Sequence, residues 1–593
     1  MEIQENVHWK KIGLPRHENG RDIYKFQCLI CGKIFKRHRN ANAHCKLCLY
    51  LKQQIPDQRT INDFFNVPAA LNEAPVAEPQ LIPNLDITDA KTIALIELIS
   101  EMNIPYTQIS SPAWQKFVES LNENYEIPSQ KKLRDNIISY SKYITDSAIC
   151  DMKNQIIGIA IDGASYRQKH YYAIIMLNAS IVRLYDVVEV ENQKAETIAK
   201  ELYKCFIKCK KNDITIAGVV SDNAASLKCA IAGDHPLALP SLLGESVTRV
   251  ACAAHTVQLV VADVIKECKE FKSFVDSLLG LVSWISQREG TFKKSCPCKM
   301  PKYIATRWNT LCDVLEYVIQ HKALIAQFIA YQTDFEKKEY EILMKKVETK
   351  IEKGIQCKAP DAPTVPPVAC VPDYWSEVLQ PLSIIKEFTK QVEGDLHMQF
   401  HVYVAYKKVL EKFDMLGNNP IFNYFKTFFI SRFDSTLNIE LSHLSYVFTY
   451  DGLQEYRNKS GEDKEALMKT FTSFCIASFG TELVDSSFLI AAFEYYLDQV
   501  VYEKRSSTRF WKSMVTCTFI EHELNDDKPI SFELLAKVAL VFVTLPASEA
   551  IAERCFSALR RLLNDYNCSI GSDVFLAMSK IKLNSRYSRK YPL

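Results

Sequence analysis

QIIGIAID, residues 155 to 162, is an apolar run rich in β-branched residues that stops on a carboxylate. A short run of this kind predicts a buried strand. HYYAIIMLNA and SIVRLYDVVEVE follow after short gaps, both rich in β-branched and aromatic residues. Three such segments with short connections predict an antiparallel meander. AETIAKELYKCFIKCKK then changes to the helical period, with Ile198, Leu202, Cys205 and Phe206 on one face. ITIAGVVSD, residues 214 to 222, predicts another buried strand, and it too ends on an acid. ASLKCAIA predicts a short helix and SVTRVACAAH a fifth strand.

The predicted order is βββαβαβ, with Asp162 and Asp222 closing the first and fourth strands. This is the RNase H-like arrangement, in which those two strands are neighbours, so the two acids are expected side by side. Carboxylates packed together repel unless a divalent cation neutralises them, which points to Mg²⁺ or Mn²⁺. An Asp after a strand is also common in plain turns.

At 593 residues the chain predicts several domains. Its 48% hydrophobic and 24% charged content is that of an ordinary globular protein. The net charge of +2 means that nucleic-acid binding must come from local basic patches. No apolar run of signal-peptide type opens the chain and none approaches 20 residues, so neither secretion nor a membrane span is expected. Nineteen scattered cysteines, an odd number in a long chain, predict reduced thiols in cytosol or nucleus, a few of them on metal.

Near the N-terminus, FQCLICGKIFKRHRNANAHCKLC carries Cys28-x2-Cys31 and, after twelve residues, His44-x3-Cys48. Two close cysteines suit a hairpin, and His44 and Cys48 lie one helical turn apart, so all four can reach one tetrahedral zinc ion. Phe26, Phe35 and Ala41 sit where a small ββα finger places its core. So small a unit needs structural Zn²⁺ for its folding energy. In that geometry Arg37, Asn40 and Ala43 face base edges, with Lys36 and Arg39 available for phosphates. A finger that binds protein is the competing interpretation.

A Pro-bearing linker is predicted over 51 to 88, then helices over 89 to 102 and 112 to 122. A third helix starts after Pro128 with Ser129 as N-cap. Lys131, Lys132 and Arg134 cluster at its start, suited either to phosphates or to a solvated face. The span 265 to 535 is helical in pattern and is interrupted by the Pro-rich APDAPTVPPVACVP, residues 359 to 372. QREGTFKKSCPCKMPKYIATR holds five Lys/Arg before Arg307, which suits a DNA path.

Several of these words resemble, in order, the motifs of the hAT superfamily (hobo/Ac/Tam3-like) of DNA transposases. IDGAS and SDNAAS match the two aspartate motifs, CAAH (252 to 255) the Cys-x-x-His pair, and ATRWN the RW signature of the helical insertion. LNENYEIPS resembles the stretch just before the catalytic domain, and LPASEAIAERCFS (545 to 557) the C-terminal dimerisation region, with Ala552 where Ser is common. Trp9 with the Cys-Cys-His-Cys pattern resembles a BED-type zinc finger, a DNA-binding module commonly fused to such chains.

The resemblance implies a multidomain α/β protein with an RNase H-like catalytic core interrupted by a large all-α insertion and preceded by a small ββα finger. Its parts would be the finger (1–50), the linker (51–88), a helical DNA-binding or oligomerisation region (89–152), the first part of the core (153–264), the insertion (265–535) and a dimerisation region that completes the core (536–593). Glu553, rather than Glu549, would complete an Asp-Asp-Glu triad with Asp162 and Asp222, because Glu553 is followed by Arg and then one residue before Phe-Ser. His255 would contact the DNA backbone, and Trp308, beside Arg307, would stack on a flipped base. A buried core histidine and a core tryptophan are the alternatives. The implied activity is cut-and-paste transposition in the nucleus by a homo-oligomer that holds transposon ends and target as double-stranded DNA. A domesticated DNA-binding regulator without cleavage, or an interaction scaffold, would keep the same fold.

Overall fold

The computed structural model describes residues 9–18, 21–28, 34–35 and 89–592, apart from 123, 167, 297, 305–307, 354–357, 438, 480–488, 499, 501–505, 516–517, 521–528 and 563–570. The chain is mixed α/β. It divides into two compact units, one of Met1–Ala253, Val392–Val404 and Leu437–Leu593, the other of Ala254–Gln391 and Ala405–Thr436.

In the first unit, β1 (Trp9–Glu18), β2 (Arg21–Cys28) and β3 (Ile34–Phe35) form an antiparallel sheet in the order β1-β2-β3, with Trp9 opposite Cys28 and Phe26 opposite Phe35. The remaining zinc-ligand candidates Cys31, His44 and Cys48, and the base-contact candidates Arg37, Arg39 and Asn40, lie outside the described residues. So does Arg307.

Three helices come next. α1 (Ala90–Met102) is capped by the Asp89 carboxylate, and α2 (Pro112–Leu121) by Ser111. α3 (Gln130–Cys150) starts at Ser129, whose hydroxyl accepts from the Lys132 amide as its N-cap. The apolar stripes of α1 and α3, Leu95, Ile96, Ile99, Leu133 and Ile137, bury against the C-terminal helix described below.

The main sheet follows: β4 (Ile156–Tyr166), β5 (Lys169–Leu177), β6 (Val182–Val190), α4 (Ala195–Lys211), β7 (Thr215–Ser221), α5 (Ala225–Ala232) and β8 (Arg249–Ala251). The strand order is β6-β5-β4-β7-β8. The meander is antiparallel, and β4-β7 and β7-β8 pair in parallel. Sequence foresaw a longer fifth strand. It is only three residues, because Cys252 onward turns into α6 (Ala253–Glu267).

Period-2 alternation gives β4 two different faces. Ile157, Ile159 and Ile161 join the core made with Ile198, Leu202, Cys205 and Phe206 of α4 and Leu227 of α5. Gly158, Ala160 and Asp162 point the other way. There, a Cβ on Gly158 would stand 2.4 Å from Cγ and Cδ of Pro546, and one on Gly218 would stand 2.7 Å from Leu545 Cδ2. Gly158 and Gly218 are register partners across β4 and β7. Together they make a flat seat for Leu545-Pro546. We expect Gly158→Ala to destabilise this unit by about 1–3 kcal/mol through overpacking. Pairing it with Pro546→Ala should make the combined cost in thermal unfolding less than the sum of the two.

The second unit is helical: most of α6, then α7 (Lys269–Ser286), α8 (Asn309–Gln320), α9 (Lys322–Glu352), α10 (Trp375–Val392), part of α11 (Gln399–Met415) and α12 (Pro420–Arg432). Aromatic edges knit it, with ring centroids 5.0 Å apart for Phe271 and Phe425 and 5.4 Å for Phe274 and Trp375. Arg288 grips Glu336 with two bonds of 2.6 and 2.7 Å. The span 265 to 535, expected as a single insertion, is thus shared between the units, since residues 392–404 and 437–535 group with the sheet.

The closing elements of the first unit are α13 (Ile439–Val447), further helices, α14 (Glu533–Thr544), α15 (Ala550–Leu562) and α16 (Ser572–Lys590). Val574, Ala577, Met578 and Ile581 of α16 fill the core against α1 and α3. Among the described residues no helix is long and apolar enough to cross a membrane. The cysteines whose side chains are described all carry free thiols.

Candidate active site

β4 and β7 run in parallel with Ala160 opposite Val220. Two residues further along each strand come Asp162, still within β4, and Asp222, just past the end of β7. Neighbouring strands lie ~4.8 Å apart, so the register sets the two acids side by side. By the same alternation both extend from the face on which Leu545 and Pro546 are seated.

The backbone from 545 to 548 is held tightly. The Gln399 amide donates to Leu545 O (2.8 Å), the Ala547 amide to His397 O (2.9 Å) and the Ala253 amide to Ala547 O (3.1 Å). The Gln399 side-chain amide donates to Pro546 O (2.6 Å) and accepts from the buried Ser442 hydroxyl (2.6 Å). Ser548 donates to Val392 O (3.0 Å). Arg554 and Lys590 both pair with Asp395, which Tyr591 also reaches through its hydroxyl. These ties fix where α15 begins, and hence where Glu549 and Glu553 stand.

The electrostatics join four acids. Asp162 is partly buried, and its Oδ1 accepts from the Gly163 amide (2.7 Å). Its pKa is pushed up to about 7, first by burial, then by the charge of Glu553 and more weakly by Asp222. Glu549 is 1% exposed. Its carboxyl is driven well above the usual range by burial and then by Asp162, Asp222 and Glu553. Tyr172 is raised to about 12 by burial, with Asp222 and Asp162 adding to it. Asp222 accepts from the Ala224 amide (2.9 Å), and Glu553 is exposed on the first turn of α15.

One guanidinium stands beside this group. Arg249 donates to Ser221 Oγ (3.1 Å), to Asp222 O and to Asn223 Oδ1 (3.3 Å), bracing the turn that carries Asp222. Burial holds its pKa below the usual value, against the pull of Asp222 and Glu549.

The three acids named from sequence therefore occupy one neighbourhood. Among the described residues, however, no group of three or more His, Cys, Asp or Glu side chains is arranged closely enough to hold a metal ion. The acids share a field without converging on a point. All their donors are hard carboxylate oxygens, the chemistry that suits Mg²⁺ or Mn²⁺. Glu549 Oε2 has no hydrogen-bond partner, which leaves one buried oxygen open to a cation.

The other candidates stand elsewhere. Lys131 and Lys132 are exposed on the first turn of α3, while Arg134 pairs with Asp573 of α16. His255 is half-buried in the first turn of α6. Trp308 is 6% exposed at the start of α8, as a core tryptophan would be and not as an open stacking platform. Sequence reasoning passed over Glu549 and Arg249. The available signal for Glu549 was its spacing, four residues before Glu553 at the start of the same helix.

No family model matches the chain, and no curated protein matches it.

Proposed function

We propose that the chain is a metal-dependent DNA transposase of hAT type, built on an RNase H-like core, in which Asp162, Asp222 and Glu553 hold Mg²⁺ or Mn²⁺. The observation that carries the proposal is the register of β4 and β7, which sets Asp162 and Asp222 abreast on the face that receives α15. The strand order, an antiparallel meander followed by two parallel neighbours, supports the RNase H-like reading.

Mg²⁺ or Mn²⁺ would supply Lewis acidity at the scissile phosphodiester. The chain's own residues supply the rest. The start of α15 lends its positive dipole end to Glu549 and Glu553, easing the crowding of charge. Arg249 holds the Asp222 turn in place, and exposed Lys131 and Lys132 suit DNA phosphates. In the first step a water oxygen attacks phosphorus and the 3′ oxygen of the flanking DNA leaves, taking up a proton. That 3′-hydroxyl then attacks a phosphodiester of the opposite strand, closing a hairpin on the flanking DNA and releasing the transposon 3′-hydroxyl. In the final step the transposon 3′-hydroxyl attacks a target phosphodiester, joins its phosphorus and releases a target 3′-hydroxyl. Two transposon ends require at least two copies of the chain, acting in the nucleus.

A second reading, a DNA-binding regulator that keeps the fold without cleavage, is favoured by the failure of the acids to converge. One experiment separates the two. The purified full chain is incubated with Mn²⁺ or Mg²⁺ and a panel of end-containing duplexes, beside Asp222→Ala. Metal-dependent nicking or hairpin formation absent from the variant supports the transposase. Salt-sensitive binding of cognate ends without cleavage by either protein supports the regulator.

A further inference from the structure

Glu549 stands immediately before α15, and its backbone carbonyl accepts from the Ala552 (2.7 Å) and Glu553 (3.2 Å) amides. The side chain is buried, yet Oε2 is unpartnered. A buried carboxyl oxygen left without a partner is costly, since its lost hydration is not replaced. A glutamine or an apolar residue of similar size would avoid the crowding of like charge. Such a group among three further acids marks a functional position.

Its surroundings narrow the role. Cys252 hydrogen-bonds the Glu549 carboxyl, a weak donor that leaves the other oxygen open. Asp162, Asp222 and Glu553 all lie within reach of its charge. Arg249 is too committed to the Asp222 turn to neutralise them all. The described side chains do not converge on a point; a hard divalent cation would have to draw the three acids together with the orphan oxygen of Glu549.

We propose that Glu549 is a fourth carboxylate of the divalent-cation site, supplying Oε2 to Mg²⁺ or Mn²⁺ from the buried side while Glu553 closes the site from the exposed side. The inference rests on the site proposed above, and its test separates the two. Mn²⁺ binding to the full chain, without DNA, is measured by titration calorimetry for the wild type, Glu549→Gln, Glu549→Asp and Asp222→Asn. Melting temperatures in chelator are recorded alongside.

Glu549→Gln should weaken Mn²⁺ binding roughly 10- to 100-fold, or remove one equivalent of it, while its metal-free form melts higher than the wild type. Glu549→Asp, which restores a carboxylate, should recover part of the affinity. If Glu549→Gln binds Mn²⁺ as the wild type does while Asp222→Asn is weakened, Glu549 is only a buried structural acid and this inference falls alone. If the wild type binds no Mn²⁺, or Asp222→Asn changes nothing, the site itself falls and Glu549 with it.

Discussion

Replacing Asp222 by asparagine is expected to abolish metal-dependent DNA cleavage, by on the order of 10³-fold or more, while making the metal-free protein more stable. The first effect follows from losing one ligand of a site whose purpose is to bring charge to the scissile phosphate; a thousandfold loss corresponds to about 4 kcal/mol of barrier. The second follows from the crowding of carboxylates. Burial, Glu553 and Asp222 raise Asp162 to about 7, so its folded carboxyl keeps a proton that the unfolded chain gives up near 4. Between those values the native state binds more protons than the unfolded state, and stability falls as pH rises. The penalty from Asp162 is at most about 4 kcal/mol and is fully felt above pH 7. In chelator, the melting temperature of the wild type should drop between pH 5 and 7.5, and Asp222→Asn should reduce that drop only modestly, because burial and Glu553 raise Asp162 more than Asp222 does. A variant that loses cleavage through misfolding would melt lower at every pH instead.

Asp151→Ala is expected to cost the sheet-bearing unit about 3–5 kcal/mol, the usual effect of leaving a buried charge without its partner. Asp151 follows the last turn of α3, and its carboxylate takes the Arg183 Nε–H at 2.5 Å. The Arg183 side chain on β6 is 2% exposed. Its other bonds run to Val182 O (2.9 Å) and to Tyr591 O (3.0 Å) beyond α16. One guanidinium thus ties α3, the outer strand of the meander and the end of the chain. Denaturant unfolding of the variant should show the loss in the transition of that unit. Replacing both partners, as in Asp151→Ala with Arg183→Met, should recover much of it, because a buried pair is worth little beyond an apolar substitute.

Much of the sheet was readable in the sequence because buried strands and amphipathic helices leave periodic marks. QIIGIAID and ITIAGVVSD became β4 and β7, ASLKCAIA became α5 residue for residue, and Ile198, Leu202, Cys205 and Phe206 all entered the core. Ser129 capped α3 as its position implied. What periodicity cannot carry is the partner of each apolar face. The helices after residue 392 look alike in pattern, yet Gln399 is committed to Pro546 by a polar bond spanning 147 residues, and Ser442 donates to that same Gln399 side chain. The glycines of the Pro546 seat were equally silent, since only the β4-β7 register reveals that Gly158 and Gly218 are neighbours. Glu549 was set aside in favour of Glu553 on motif grounds; its burial and its orphaned oxygen are properties of the folded surroundings. For Trp308 the sequence left base stacking and a place in the core both open, and the folded chain buries the ring.

The most direct measurement is crystallographic: crystals of the full chain soaked in MnCl₂, with anomalous differences collected near the manganese edge. We expect an anomalous peak among Asp162, Asp222 and Glu553, with carboxylate oxygens about 2 Å away and those side chains turned toward it. Crystals with ordered acids and no manganese peak between them, or with manganese bound only elsewhere on the chain, would contradict a metal-dependent nuclease and leave the fold to a DNA-binding role.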